Sequence, residues 1–520
     1  MSWEPELEEL RRRHELARRM GGQERVARQH ASGRLTVRER IDRLFDRGSF
    51  RETGALAGRG TYDEAGELVD FLPANTVVGR GRIDGRRAVV QGDDFTIRGG
   101  AADAAIWEKA VYAERMAHDL RLPLVRLVDG TGGGGSVKTL EQTGFSYVPP
   151  LPGFDLVARN LSIVPVVAAA LGPVVGLGAA RVVCSHFSVI VRRTAQLFVA
   201  GPPVVAAAMG EAPDKETLGG ARMQARAGAV DNVAENENGA LGQIKRFLSY
   251  LPSNVWEAPP TGDASDPPDR RDQELLSIVP RDRRLPYKMR RILEAVFDRG
   301  SIFELGAAFG RPTVTCLARL GGRPVGVLAS DPEHYGGGVT ADAAEKTARF
   351  VDTCDQFHLP LVNLVDVPGF VIGTAAERAG TIRRGARGLF AIAQATVPWA
   401  SILVRKVYGV AGAGHGDGSG LNLRYAWPSG DWGSLPMEGG LEAAYRRELE
   451  AAADPEALRA EIAARLEAVR SPFRTAERFS VEDIIDPRDT RPILCDWAER
   501  AHELIRHELH SGPKARGPRP

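Results

Sequence analysis

The chain has 520 residues, and 68 basic against 67 acidic side chains leave a formal net charge of +1, so there is no electrostatic case for nucleic acid or an anionic membrane as the main partner. Hydrophobic residues make up 43% and charged residues 26%, which is the balance of a soluble globular protein long enough for two large domains. No apolar run reaches the roughly 18–20 residues that span a bilayer. The charged N-terminus lacks the apolar core of a secretory signal. The four cysteines, Cys184, Cys316, Cys354 and Cys495, form no CxxC, so no metal site or redox pair is expected. Buried free thiols in the cytoplasm are the expectation.

In chain order, residues 1–30 read as a charged helical arm, with Glu preceding Arg at helix-neighbour spacings. The first body spans residues 31–256. Its segments ANTVVGRGRI and RRAVVQGDD alternate as strands, and residues 101–120 have helical apolar spacing. LPLVRLVDG (122–130) reads as a buried strand ending in glycines. Residues 257–273, rich in Pro, Asp and Gly, read as a linker. The second body, 274–510, repeats the pattern with RPVGVLAS as strand, TADAAEKTARFVDTCDQF as helix and LPLVNLVDVPG as strand and turn. Residues 439–470 are expected to form a long surface helix or a helical pair, and the terminal GPKARGPRP to fray.

The two bodies are copies. LPLVRLVD at 122–129 and LPLVNLVD at 359–366 match at seven of eight positions with an offset of 237. Glu108-Lys109 aligns with Glu345-Lys346 at the same offset, and Gly99-Gly100 with Gly336-Gly337 or with its neighbour Gly338. FDRGS recurs at 45–49 and 297–301, and Val164-Pro165 and Gly176 align with Val397-Pro398 and Gly409. The ordered series implies two homologous α/β domains in tandem, since the period is far too long for a solenoid repeat.

Chemistry concentrates in glycine-rich turns after strands. GTGGGGSVKT (130–139) lacks the P-loop register, because Ser136 and Val137 separate Gly135 from Lys138. Its exposed backbone N–H groups remain suited to an anion or a carbonyl oxygen. GPVVGLGAA (172–180) and RKVYGVAGAG (405–414) form a matched pair in which small residues let a substrate carbonyl reach main-chain N–H groups, the arrangement of an oxyanion hole. No Ser-His-Asp, HExxH or paired-Cys constellation stands out, and His186, His334, His358 and His415 are scattered. Asp129 and Asp366 occupy matched strand ends, where they are expected to cap the backbone N–H groups that follow. Oxyanion turns without an evident side-chain base suit a reaction in which the substrate or cofactor supplies its own base.

The sequence resembles the biotin-dependent acyl-CoA carboxylase carboxyltransferase (β) subunits of propionyl-CoA and methylcrotonyl-CoA carboxylases, and the related glutaconyl-CoA decarboxylase and transcarboxylase subunits. The resemblance rests on RLTVRERIDRLFDRGSF, GRGRIDGRRAVVQGDDFTIRGG, LFVAGPPVV and ETLGGARM in the first half. In the second half it rests on DVPGFVIGT, ERAGTIRRGAR, ATVPWASILVRKVYG and RYAWPSGDWGSLPMEGG. It implies two crotonase-like (ClpP/crotonase) domains per chain, a dimer that often assembles into a hexamer, and a separate biotin carboxylase and biotin carboxyl carrier (α) subunit. The N-terminal domain would take acyl-CoA and the C-terminal domain carboxybiotin. In the family mechanism, carboxybiotin releases CO2, the biotin enolate nitrogen removes the α-proton, and one backbone hole holds each enolate.

Carried onto this chain, the first hole falls on Gly176, Leu177 and Gly178, and the second on Gly409, Val410 and Ala411. Gly99, Gly100, Gly132, Gly133 and Gly134 are expected on the substrate side, and Pro368, Gly369, Phe370 and Tyr408 on the biotin side. Leu177 and Val410 replace the family's second glycine, which restricts φ and adds an apolar side chain. DGTGGGG stands where the family has Asp-Ser-Gly-Gly-Ala. Ala413 stands where propionyl-type members carry an Asp that helps set acyl size, so propionyl-like selectivity is expected to be lost. His415 and Asp417 either line the same pocket or belong to a lid. A decarboxylase or transcarboxylase subunit, and an inactive scaffold that keeps the fold, are the alternatives.

Overall fold

The computed structural model describes residues 2–101, 106–130, 141, 144–146, 148, 150–416 and 423–509. These residues fall into two compact units that divide after Glu257.

The first unit begins with helices α1 (Glu4–Arg18) and α2 (Gln23–Ala31), broken at Gly21-Gly22. They are tied down: the Gly21 N–H donates to Thr96 Oγ1 (2.9 Å) and Gln29 Nε2 to Asp129 (3.2 Å). Helix α3 (Val37–Leu44) starts at a capping box in which Thr36 and Glu39 exchange hydrogen bonds with each other's backbone. Next come β1 (Arg51–Thr53), the hairpin β2 (Gly58–Tyr62) and β3 (Leu68–Pro73), then β4 (Thr76–Ile83) and β5 (Arg86–Asp93). Helix α4 (Trp107–Leu120) leads to β6 (Leu124–Val128) and β7 (Val166–Ala170). After the short β8 (Pro173–Val175), the chain enters α5 (Leu177–Val183). The unit continues through β9 (Phe187–Val191), β10 (Gln196–Phe198), β11 (Asn232–Ala234) and α6 (Glu237–Tyr250).

The main sheet runs β1-β4-β5-β6-β7-β9-β11. It is antiparallel through β5 and parallel from β5 onward. Every residue of β6, β7 and β9 is buried, the pattern of parallel strands covered on both faces.

The second unit repeats the plan. Residues 257–273, expected as a linker, are held to it: Gly262 N–H donates to the Gly322 carbonyl (2.8 Å), and Arg491 grips the carbonyls of Asp266 and Pro267 (both 2.9 Å). Helix α7 (Met289–Val296) precedes β12 (Phe303–Leu305), β13 (Thr313–Leu320) and β14 (Arg323–Ser330). Helix α8 (Ala341–Gln356), capped by Thr340, leads to β15 (Leu361–Val367), α9 (Thr381–Gln394) and β16 (Trp399–Tyr408). The short α10 (Gly409–Ala413) follows at once, then β17 (Leu423–Ala426) and β18 (Asp431–Gly433). Residues 437–469 are three short helices rather than the expected one or two: α11 (Met437–Ala444), α12 (Arg446–Ala451) and α13 (Pro455–Val469). Asp454 and Pro455 restart the chain there, with the Asp454 carboxylate accepting the Ala457 N–H. The unit closes with β19 (Asp483–Ile484) and α14 (Thr490–Glu508).

Its sheet runs β12-β13-β14-β15-β16-β17-β19, with β18 on β16, in the same antiparallel-then-parallel sense. The core gathers Val314, Val327, Leu364, Ile402 and Trp427 against α7 and α14. Among the described residues, no helix is long and apolar enough to cross a membrane. The GPKARGPRP segment lies outside the described residues.

Candidate active site

Each sheet presents a glycine turn after the strand that follows the LPLV repeat. In the first unit, Gly176 has φ +61° and ψ −122°, a conformation that only glycine adopts cheaply, and it turns the chain from β8 into α5. In the second unit, Gly409 has φ +60° and turns β16 directly into α10. Leu177 and Val410, which follow, have ordinary helical backbones rather than positive φ. The expectation that these two replacements restrict the turn is therefore corrected: the strained position is the glycine before them. The Val410 side chain is 65% exposed, so it displaces no packed atom.

At a helix start the first N–H groups have no intrahelical acceptor, so the turn offers Leu177 and Gly178 in the first unit, and Val410 and Ala411 in the second. Gly176 differs from its expected role. Its N–H donates to the Phe198 carbonyl at 3.3 Å, because β8 pairs with β10 and the ladder continues into the turn. It shapes the turn rather than supplying a donor.

Gly99 and Gly100 are likewise engaged: their N–H groups donate to the Phe95 and Ile97 carbonyls (both 3.1 Å). Gly100 instead permits close approach, since a Cβ there would lie 2.7 Å from the Asp129 carbonyl oxygen. Gly337 does the same in the second unit, with a hypothetical Cβ 2.2 Å from the Asp366 carbonyl. That settles the alignment: Gly99-Gly100 corresponds to Gly336-Gly337, both with positive φ, and not to Gly338. Gly132, Gly133, Gly134 and Asp417 lie outside the described residues.

The matched aspartates are buried in ion pairs, which corrects their expected role as caps of the N–H groups that follow. Asp129 faces Arg34 (3.0 Å), Arg40 (2.8 Å) and Gln29. Asp366 takes Arg405 (3.0 Å) and the Lys406 N–H (3.0 Å) on the neighbouring strand. Beside it, burial first and the Asp366 charge second push the Tyr287 phenol well above its ordinary value.

On the biotin side of the resemblance, Val339 stitches the turn after β15 at both ends. Its N–H donates to the Gly369 carbonyl (3.0 Å) and its carbonyl accepts the Val371 N–H (3.0 Å), which brackets Phe370, with Pro368 just before the first of these bonds. Phe370, Gly385, Leu389, Ile392, Ala411 and Gly414 line a mainly apolar cavity of about 530 Å³, part of it open to solvent. Tyr408 does not offer its hydroxyl to a ligand. It is buried, and Arg470 Nη2 donates to it at 2.9 Å while Arg470 Nε holds Asp431 at 2.6 Å. Burial and the Asp431 hydrogen bond raise its pKa.

Ala413 is exposed at the end of α10 and is not among the cavity-lining residues. The His415 ring nitrogen Nδ1 lies 2.8 Å from the Gly412 carbonyl, and burial lowers its pKa, so it closes the helix end as a neutral ring. His186 is also structural: its Nδ1 accepts the Val166 N–H at 2.9 Å. Among the described residues no group of three or more His, Cys, Asp or Glu side chains could hold a metal ion.

Arg126, Glu114 and Asn363 belong to no motif of the sequence. The signal was present, because Arg126 and Asn363 are the one mismatch in the eight-residue repeat. Arg126 reaches the end of α5, and Asn363 reaches the His415 carbonyl just past α10.

Residues 28–508 match the carboxyl transferase domain. The chain is 36% identical to the carboxyltransferase subunit of propionyl-CoA carboxylase from Haloferax mediterranei, over 94% of this chain and 95% of that one. It is 32% identical to the alpha subunit of methylmalonyl-CoA decarboxylase from Veillonella parvula, over 91% of each. Among solved structures, a transcarboxylase 12S hexamer with methylmalonyl-coenzyme A bound superposes with a TM-score of 0.87 at 32% identity, covering 100% of this chain and 99% of that one.

Proposed function

The chain belongs to the carboxyl transferase domain family, and we propose that it is the carboxyltransferase subunit of a biotin-dependent acyl-CoA carboxylase, moving a carboxyl group from carboxybiotin to the α-carbon of an acyl-CoA. The observation that carries the reading is the paired turn: Gly176 and Gly409 both have φ near +60° at the end of a strand, each leading into a short helix whose first N–H groups have no intrahelical acceptor. Two substrates that each develop negative charge on a carbonyl-type oxygen need two such sites. The first unit takes the thioester, on Leu177 and Gly178. The second takes the biotin ureido oxygen, on Val410 and Ala411, with Phe370 and the apolar cavity beside it. Carboxybiotin arrives as a substrate on a separate carrier and brings the carboxyl group together with the base that the side chains do not supply. The partners are a biotin carboxylase and biotin carrier subunit and further copies of this chain, in a hexamer like that of the 12S relative. The cytoplasm suits its four buried free thiols.

The test incubates the purified chain with free biotin or biotinylated carrier and carboxyl-labelled malonyl- or methylmalonyl-CoA. Label passes to biotin, and Gly409→Pro abolishes the transfer. Absence of transfer with every acyl-CoA tried sinks the reading. A second reading, a decarboxylase or transcarboxylase subunit, is favoured by the Veillonella relative. It is separated by which partner genes restore turnover: a biotin carboxylase or a membrane decarboxylase subunit. The inactive-scaffold reading rests on Leu177 and Val410, and label transfer by the wild-type chain overturns it. Acetyl-, propionyl-, methylcrotonyl- and longer acyl-CoA compared as acceptors test the selectivity expected from Ala413, and a strict propionyl preference overturns it.

A further inference from the structure

The one mismatch of the repeat, Arg126 against Asn363, falls on the residues that hold the far ends of the two turn helices. In the first unit, the fully buried Arg126 guanidinium donates from Nη1 to the Arg181 carbonyl (3.0 Å) and the Cys184 carbonyl (2.6 Å) at the end of α5. Its Nε and Nη2 make a two-pronged pair with Glu114 of α4 (2.9 and 3.0 Å). Glu114 in turn accepts Asn160 Nδ2 (2.9 Å) and lies 3.6 Å from Arg181 of α5. Helix ends leave carbonyls without partners and favour a cation there, so Arg126 answers both needs at once.

The second unit does the same work with other atoms. Asn363 Nδ2, Trp399 Nε1 and Ser401 Oγ all donate to the His415 carbonyl just past α10, at 3.0, 2.9 and 2.7 Å. The register is shared: Arg126 sits between Gln91 and Ala168, and Asn363 between Leu328 and Ser401. Where the first unit packs Arg126, Arg181 and Glu114, the second has Asn363, Gly414 and Val351, and Asn363 and Gly414 line the apolar cavity.

We propose that Arg126, braced by Glu114, is the positioning residue of the first turn: it pins the C-terminal end of α5 to the sheet so that the Leu177 and Gly178 N–H groups keep a fixed aim. The inference rests on the carboxyl-transfer reading of that turn. Helix α5 has seven residues and spans only about 10 Å at 1.5 Å per residue, so a shift at its last carbonyls is carried to its first amides. Misplacement of a reacting group by about 1 Å can cost on the order of 100-fold in rate. A buried ion pair is a poor source of net stability compared with packed apolar side chains, which fits a role for this one in orientation.

The test compares wild type, Arg126→Lys and Arg126→Met by steady-state carboxyl transfer with the carrier, and by amide hydrogen exchange over 176–184 and 166–170. Arg126→Met is expected to lower kcat at least tenfold with the acyl-CoA KM within threefold, and to speed exchange in 176–184 while leaving 166–170 protected. Arg126→Lys is expected to recover part of both. A folded Arg126→Met with kcat within threefold of wild type, unchanged exchange in α5, or a loss confined to KM overturns the proposal. If Arg126→Met does not fold, Arg126→Lys and the isosteric Glu114→Gln are judged by the same criteria. If wild type transfers no label to any acyl-CoA, the functional reading falls and the catalytic role of Arg126 with it, while exchange still decides whether Arg126 orders α5.

Discussion

At Gly409 and Leu177 the backbone separates positions that look alike in the sequence. Gly409 has φ +60°, and a Cβ there would sit 3.4 Å from the Ser434 carbonyl oxygen, an ordinary contact. Gly409→Ala should therefore suffer strain rather than a clash, at about 1–2 kcal/mol. We expect thermal unfolding a few degrees earlier and carboxyl transfer at least tenfold slower, as the Val410 and Ala411 amides are re-aimed. Melting and kcat measured on one preparation check both, and an unchanged kcat would falsify the role given to this turn. Leu177 is helical, so Leu177→Gly should restore the family's glycine with no gain in rate, and cost about 1 kcal/mol or less through helix propensity. A tenfold rise or fall in kcat would show that the Leu177 side chain itself acts in the site.

At the scale of elements, helix α14 shows how packing sets a titration. His502 on α14 is buried against β13 and β14, with Nε2 2.9 Å from the Pro324 carbonyl. Burial first, with Arg323 and its neighbours adding to it, lowers its pKa from 6.5 to about 4. The unfolded chain thus binds this proton between pH 6.5 and 4 and the folded chain does not. His502 favours the folded state fully above pH 6.5, and that preference is lost as the pH falls toward 4. The change amounts to roughly 3 kcal/mol over the window. Denaturant midpoints of wild type and His502→Gln across pH 4–7 should differ in slope, the variant being flatter. Parallel curves would mean that His502 is protonated in the native protein.

Across the whole molecule, the duplication is a scaffold filled in two different ways. The strands repeat in order and direction, while the space beneath the turn holds an ion cluster in one unit and an apolar cavity in the other. All four thiols are buried and free, and burial pushes Cys495 up to about 11 and Cys316 and Cys354 higher still. The native protein should therefore give almost no reaction with a thiol reagent such as DTNB at pH 8, and four thiols per chain after denaturation. Rapid native labelling of even one would contradict the burial.

The sequence by itself determined the duplication, the strand–helix–strand alternation leading into each LPLV strand and the two glycine turns, because hydrophobic periodicity and local turn chemistry act over short stretches of chain. LPLVRLVD had to be a buried strand, and GPVVGLGAA had to turn. Only the tertiary structure decided which amides remain available. Gly176 gives its N–H to Phe198 across β8 and β10, and Tyr408 disappears into Asp431 and Arg470. Those partners lie 22 residues or more away along the chain, so no local pattern announces them. The same holds for Arg126: its spacing marks a buried strand position, and only the meeting of β6, α4 and α5 shows why that position carries a charge.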